Sequence, residues 1–144
     1  MVVKQTRQTQ TDIVKALIRF LQQSVDFYAG ADIGDFRKSG NRIAFDLRAT
    51  DKRKRYFNGN VRQWFSLKVY AKSTDWNVAV NFLDSVSAAI DDASRGNVVS
   101  EDHRFSFISA TPTGAVAYAG TMTDDGQNYV IWNVPFELQV QIIK

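Results

Sequence analysis

Apolar positions along this chain recur with two periods, one helical and one of strands. Ile13, Val14, Leu17, Ile18 and Leu21 step by three and four residues, which predicts a helix from about Thr11 to Val25 with one apolar stripe. Thr9, three residues ahead of Asp12, gives it a capping-box-like start. Ahead of the helix, residues 1–10 read as a flexible polar arm, because six of the seven residues from Gln5 to Thr11 are Gln or Thr. Glycines and aspartates crowd the segment 30–40, which reads as a loop. Alternation then sets in. Ile43, Phe45 and Leu47 alternate with Arg42, Asp46 and Arg48 and predict a strand over 41–49. The stretch 61–72 predicts a long strand: Val61, Gln63, Phe65, Leu67, Val69 and Ala71 share one face, and Arg62, Trp64, Ser66, Lys68, Tyr70 and Lys72 the other.

The helical period returns at Trp76, Val80, Leu83, Val86 and Ile90, predicting a second helix from Asp75 to about Arg95, capped by Thr74 and stopped at Arg95-Gly96. Two shorter strands are expected near 104–109 and 115–121, joined by Thr111-Pro112-Thr113-Gly114, with a turn at Asp124-Asp125-Gly126. In the closing strand 129–142, Val130, Trp132, Val134, Phe136, Leu138, Val140 and Ile142 share one face. Pro135 points the other way and lacks an amide donor, which suits a strand edge, a bulge, or pairing on one side only. The order α-β-β-α-β-β-β predicts an α+β fold. An antiparallel or mixed sheet of about five strands packs on two helices, with Leu83 and Val86 meeting Trp132, Phe136 and Leu138 in the core.

At 144 residues and 44% hydrophobic content, the chain fits one domain, 11–144, with one core. Its apolar runs are too short for a membrane-spanning helix, and its start lacks the apolar stretch of a secretory leader. With no cysteine there is no disulfide framework and no thiolate zinc site, and the single histidine, His103, excludes a site that needs two imidazoles. No phosphate-cradling glycine loop is present. Asp91-Asp92 and Asp124-Asp125 read as a solvated helix end and a solvated turn, since adjacent helical residues diverge by about 100°. Glu101-Asp102-His103 is a contiguous trio without a second cluster to complete a metal shell. Ser106 and Ser109 lie near His103 without a nucleophile-elbow pattern. The expectation is a protein without catalytic residues, metal or cofactor.

Charge changes the picture more. The net charge is only +3, but residues 37–62 hold nine Lys or Arg against Asp46 and Asp51, a net +7, and the remainder is net −4. Such a basic region on an acidic body predicts a patch that meets an acidic partner. Its centre, Lys52-Arg53-Lys54-Arg55 followed by Tyr56 and Phe57, precedes Asn58-Gly59 and reads as a loop or hairpin tip. Cations beside aromatic rings suit single-stranded nucleic acid, with phosphates on the charges and bases on the rings. They suit an acidic protein partner equally well. The bland alternative is a solvated tip with Tyr56 and Phe57 tucked into the core. Arg62, Trp64, Lys68 and Tyr70 form a second candidate surface, an aromatic and basic strand face of the kind enriched at subunit interfaces.

One further sign lies in the whole layout. A helix leads through a loop to a strand. A long strand, Val61-Arg-Gln-Trp-Phe-Ser-Leu-Lys-Val-Tyr-Ala-Lys72, runs into the capped helix Thr74-Asp-Trp-Asn to Ala88-Ala-Ile-Asp-Asp92. Phe105-Ser-Phe-Ile-Ser109 and a closing strand from Asn128 through Val140 follow. From about Thr11 to Ile142 this layout resembles the tail terminator (tail completion) and minor capsid proteins of tailed bacteriophages. The run Lys52–Arg55 is not part of that pattern. The resemblance implies a structural virion protein without cofactor, assembled in the host cytoplasm at the head-proximal end of the tail. It implies a homo-oligomeric ring, a hexamer, that caps the tail tube protein and docks to the head connector or completion protein. DNA would pass through its channel without sequence-specific binding, and no membrane is involved. On that expectation Lys52, Arg53, Lys54 and Arg55 contact a partner or the lumen. Another head–tail neck adaptor and a small nucleic-acid-binding module are the rival expectations.

Overall fold

A computed structural model describes residues 2–93, 98–100 and 103–143, with side chains from residue 10 onward. Helix α1 spans Val2–Ser24. It begins nine residues before the expected start, so Thr9 and Asp12 lie inside it and the segment foreseen as an arm is helical backbone from Val2. Gln, Lys and Arg are good helix formers, and neither Pro nor Gly occurs before Gly30, so nothing in this stretch breaks the helix once Ile13–Leu21 anchors it. Helix α2 spans Trp76–Asp91. Its N-cap is Asp75, one residue later than expected, whose carboxylate accepts the Asn77 amide at 2.9 Å. The foreseen stop at Arg95-Gly96 lies outside the described residues, and α2 closes on Asp92.

The strands are β1 (Gly30–Ile33), β2 (Arg42–Arg55), β3 (Val61–Ser73), β4 (Phe105–Pro112), β5 (Ala117–Asp124) and β6 (Gln127–Ile142). They form one six-stranded sheet in the order β1-β2-β3-β6-β4, with β5 also on β6. The fold is therefore α+β with a sheet packed against two helices, as the sequence predicts, and the sheet is mixed because β1 runs parallel to β2. β1 corrects the expected loop at 30–40. Its short run Gly-Ala-Asp-Ile has no alternation to reveal it, and it is held by Asp32, which takes both the Nε and Nη2 of Arg42, at 3.0 and 2.6 Å. That bidentate contact holds the Asp32 carboxyl below the usual carboxylate range and raises the Arg42 guanidinium.

β6 is the spine. One of its edges pairs with β3 from Val130 to Ile142; the other pairs with β5 over 127–133 and then with β4 over 136–142. Pro135 sits at the changeover. Its carbonyl accepts the Thr113 amide at 3.0 Å, so its nitrogen, on the same side of the strand, faces the break between β4 and β5 where no ladder acceptor waits. The β5–β6 turn is two residues, Asp125 and Gly126, both at positive φ, as a type I′ hairpin requires.

Both helices cover one sheet face. Ile13, Leu17 and Leu21 of α1, and Leu83, Val86 and Ile90 of α2, join Phe45, Phe65, Leu67, Phe136 and Leu138 in one fully buried core. Trp132 packs at its margin, half-buried. The α2 stripe is rotated from the expected one: Ala79 and Phe82 are buried with Leu83, Val86 and Ile90, whereas Trp76 is 55% exposed. Trp76, the first residue of α2, meets Trp132, which in turn meets Tyr118, at ring distances of 6.4 and 5.6 Å. No described helix is long and apolar enough to cross a membrane.

Candidate functional site

β2 pairs with β1 only over Arg42–Phe45, so its later residues form a free sheet edge. The register with β3 runs unbroken to Ala49↔Phe65 and resumes at Arg53↔Gln63, leaving Thr50, Asp51 and Lys52 opposite Trp64 alone. This bulge has its own support. The Gln63 amide Nε2 donates to the carbonyls of Thr50, Lys52 and Trp64 at 2.9, 3.1 and 2.9 Å, and the Thr50 hydroxyl donates to the Trp64 carbonyl at 3.0 Å. Gln63 was foreseen on the core face and is indeed buried, but its work is polar: it satisfies carbonyls that the ladder leaves unpaired.

Lys52-Arg53-Lys54-Arg55 is therefore strand, not loop. All four residues are exposed, and the hairpin tip is shorter than expected, Phe57-Asn58-Gly59 between Tyr56 and Asn60. Gly59 alone takes positive φ, at 87°, so the tip is a three-residue loop with glycine in the left-handed position, not a two-residue Asn-Gly turn. Phe57 is wholly exposed, whereas Tyr56 lies half-buried. A bulge and a row of cations on a free edge also discourage the addition of a further strand, so a partner at this edge is met through side chains.

The pairing assigns the cations to two faces. Arg53 and Arg55 lie opposite Gln63 and Val61, on the helix-covered side, and Lys54 lies opposite Arg62 on the uncovered side. There the two foreseen groups converge. Lys52 Nζ stands 4.7 Å from the centre of the Trp64 ring, and Lys54 and Arg62 flank the Tyr56 ring at 5.4 and 5.8 Å. The Trp64 indole Nε1 and Arg62 Nε are enclosed without a hydrogen-bond partner among the described residues. Lys68 and Tyr70 share the uncovered face but belong to its far end, four and six residues on; Tyr70 meets Phe36 at 6.4 Å.

That far end holds what sequence reasoning missed. Lys72 is 1% exposed, its ammonium 2.7 Å from the Asp124 carboxylate and over the rings of Phe36 and Tyr129. Asp124, foreseen as a solvated turn residue, is therefore the counter-ion of a buried lysine. The Lys72 hydrogen bond holds its carboxyl below the usual range, and it also accepts the Gly40 amide at 3.3 Å. Nothing local marks the pair, since its partners lie 52 residues apart. The Tyr28 hydroxyl donates to the Lys72 and Arg42 carbonyls at 2.9 and 3.2 Å, and burial pushes its pKa up.

His103 is exposed, and Ser106 and Ser109 lie on β4; Glu101 and Asp102 lie outside the described residues. Among the described residues no group of three or more His, Asp or Glu is placed to hold a metal ion. A groove of about 530 Å³ between α1 and α2 is lined by Phe20, Ser24, Val25, Ser85, Ala88, Ala89 and Asp92.

No protein-family model and no curated protein matches this chain. Among solved structures, one whose name states no function aligns over 87% of this chain and 95% of its own, at 15% identity and a TM-score of 0.35, a likeness that carries no argument about function.

Proposed function

We propose that this protein is a structural virion protein that assembles into a ring, caps the end of a phage tail tube and joins it to the head connector. The observation that carries the reading is the sheet corner at the β2–β3 tip. Phe57 stands wholly in water on a row of four exposed cations. Burying such a ring is favourable by roughly 1.5–3 kcal/mol, so a neighbour that covers it is stabilised. The same chain carries the basic segment 37–62, net +7, on a remainder that is net −4, and opposite-sign surfaces on one subunit suit head-to-tail contacts that close into rings. The element order expected from the sequence, α-β-β-α-β-β-β, is present with β1 as an addition, and it is compatible with this reading.

The rings beside Lys52, Lys54 and Arg62 favour one second reading, a single-strand nucleic acid module. Against it, Trp64 and Tyr56 already have cations over their rings, whereas a stacking platform offers bare faces.

The experiment is electron microscopy of purified phage tail tubes incubated with the protein. The proposal expects a ring at one end of each tube and no further tube growth. Binding to filled heads instead would favour a head-completion adaptor. Absence from both, with retention of oligonucleotides, would favour the nucleic acid module.

A further inference from the structure

We infer that the β2–β3 tip of one copy docks into the groove between α1 and α2 of the next. This deepens the ring reading and rests on it, by naming the two surfaces that meet. The groove's apolar lining is Phe20 of α1, Val25 just past its end, and Ala88 and Ala89 of α2, beside the hydroxyls of Ser24 and Ser85, and its residues are small enough on the α2 side to admit an aromatic ring. Phe57 is the most exposed of the large hydrophobic side chains among the described residues.

Charge makes the match specific. Both helices end at the groove, α1 at Ser24 and α2 at Asp91, and neither has a basic residue in its last turn. Two helix C-termini without a basic residue in their last turns therefore make the groove electronegative. Asp92 lines it, and Asp84 and Asp91 are exposed on the same helix. Arg19, one residue before Phe20, turns to the Val99 carbonyl at 3.2 Å. The tip brings Arg53 and Arg55 on one side and Lys52 and Lys54 on the other. An aromatic anchor flanked by cations thus meets a partly apolar groove with one carboxylate, Asp92, in its lining and two more exposed on the same helix. Because tip and groove are different patches, the contact is heterologous: each copy offers one and receives one, and repetition closes a ring or extends a filament.

The chain has no cysteine, so disulfide trapping reports only the residues introduced. Phe57→Cys and Ala88→Cys are made as separate proteins and mixed under mild oxidation; the docked geometry expects a Phe57→Cys/Ala88→Cys heterodimer as the main product. With both changes on one chain it expects a ladder of covalent multimers. A charge-swap series uses Arg55→Glu and Asp92→Arg. Each alone should weaken self-association by roughly 30-fold, the scale of an interface hot spot, and the two together should restore it. A ring of normal mass without the heterodimer overturns this inference and leaves the ring reading standing. Tip-to-tip Phe57→Cys dimers as the main product, or swaps that do not rescue each other, overturn it as well. A chain that stays monomeric at all concentrations overturns both.

Discussion

Replacing Gln63 by Leu tests whether one buried amide holds the basic edge in place. The Gln63 Nε2 has two hydrogens and three carbonyls within 3.1 Å, those of Thr50, Lys52 and Trp64. Leucine keeps the volume and removes both donors. Each net hydrogen bond is worth about 1 kcal/mol, and each carbonyl left buried costs about 1–3 kcal/mol. Lys52 is exposed and Thr50 half-buried, so water can reach some of the bulge and offset part of that loss. The expected destabilisation is therefore about 2 kcal/mol. At about 2.1 cal/mol/K per residue, a chain of 144 residues has an unfolding entropy of roughly 0.3 kcal/mol/K, so Tm should fall by about 7 °C. Amide exchange at Lys54 should accelerate by roughly 30-fold, since its amide faces Arg62 of β3 directly beyond the bulge, whereas those of Arg53 and Arg55 face the free edge. Thr50→Ala, which removes the bond its hydroxyl donates to the Trp64 carbonyl and the one it accepts from the exposed Lys52 amide, should show a smaller effect of the same kind. A Gln63→Leu protein that melts within about 1 °C of the parent, with unchanged exchange on β2, would refute the role given to this amide.

Leu83→Ala should cost about 2–5 kcal/mol by chemical denaturation because Leu83 is fully buried, whereas Trp76→Ala should cost less; the reverse order would mean that α2 presents its other face to the sheet. Asp32 has its pKa lowered in the folded state by Arg42, so its stabilisation is present above the ordinary carboxylate pKa of about 3.9 and is lost as pH falls through the lower folded value. Asp32→Asn should flatten the acid limb of the stability curve, and an unchanged limb would count against that ion pair. Neutralising Lys52, Arg53, Lys54 and Arg55 together should leave the fold intact, since all four are exposed, and should abolish ring assembly. Any oligonucleotide binding by the parent should be weak, and four phosphate contacts on a single strand would give a log–log salt slope near about −3. Normal assembly by the quadruple variant, with lost oligonucleotide binding, would support the nucleic acid reading instead.

Periodicity made the sheet's centre legible. β3 as far as Ala71 and the second half of β6 alternate cleanly because one face meets helices and the other does not, and their buried residues are those the alternation marks. Period fails where the environment stops being two-sided. At the start of β6 the strand leaves the helix layer to pair with β5, whose residues are almost all exposed, so Tyr129 is buried while Val130 and Trp132 are half-buried. β1 has four residues and no pattern, and only the remote Arg42 explains why Asp32 belongs there. The basic run is polar throughout, which reads as loop. Its strand character comes from pairing with Val61–Gln63 and from the Gln63 amide. A glutamine in a row of core positions was the one local signal of the bulge. The Lys72–Asp124 pair had none, because a lysine in a row of lysines and tyrosines looks solvated until the turn from the chain's far end folds over it.

The most direct test of the ring assignment is the native mass of the purified protein, measured across a dilution series. The account predicts a single closed species at a fixed multiple of 16.3 kDa, six on the resemblance, with a central channel in class averages of the same sample. A species of 16.3 kDa that persists as protein concentration rises would contradict it.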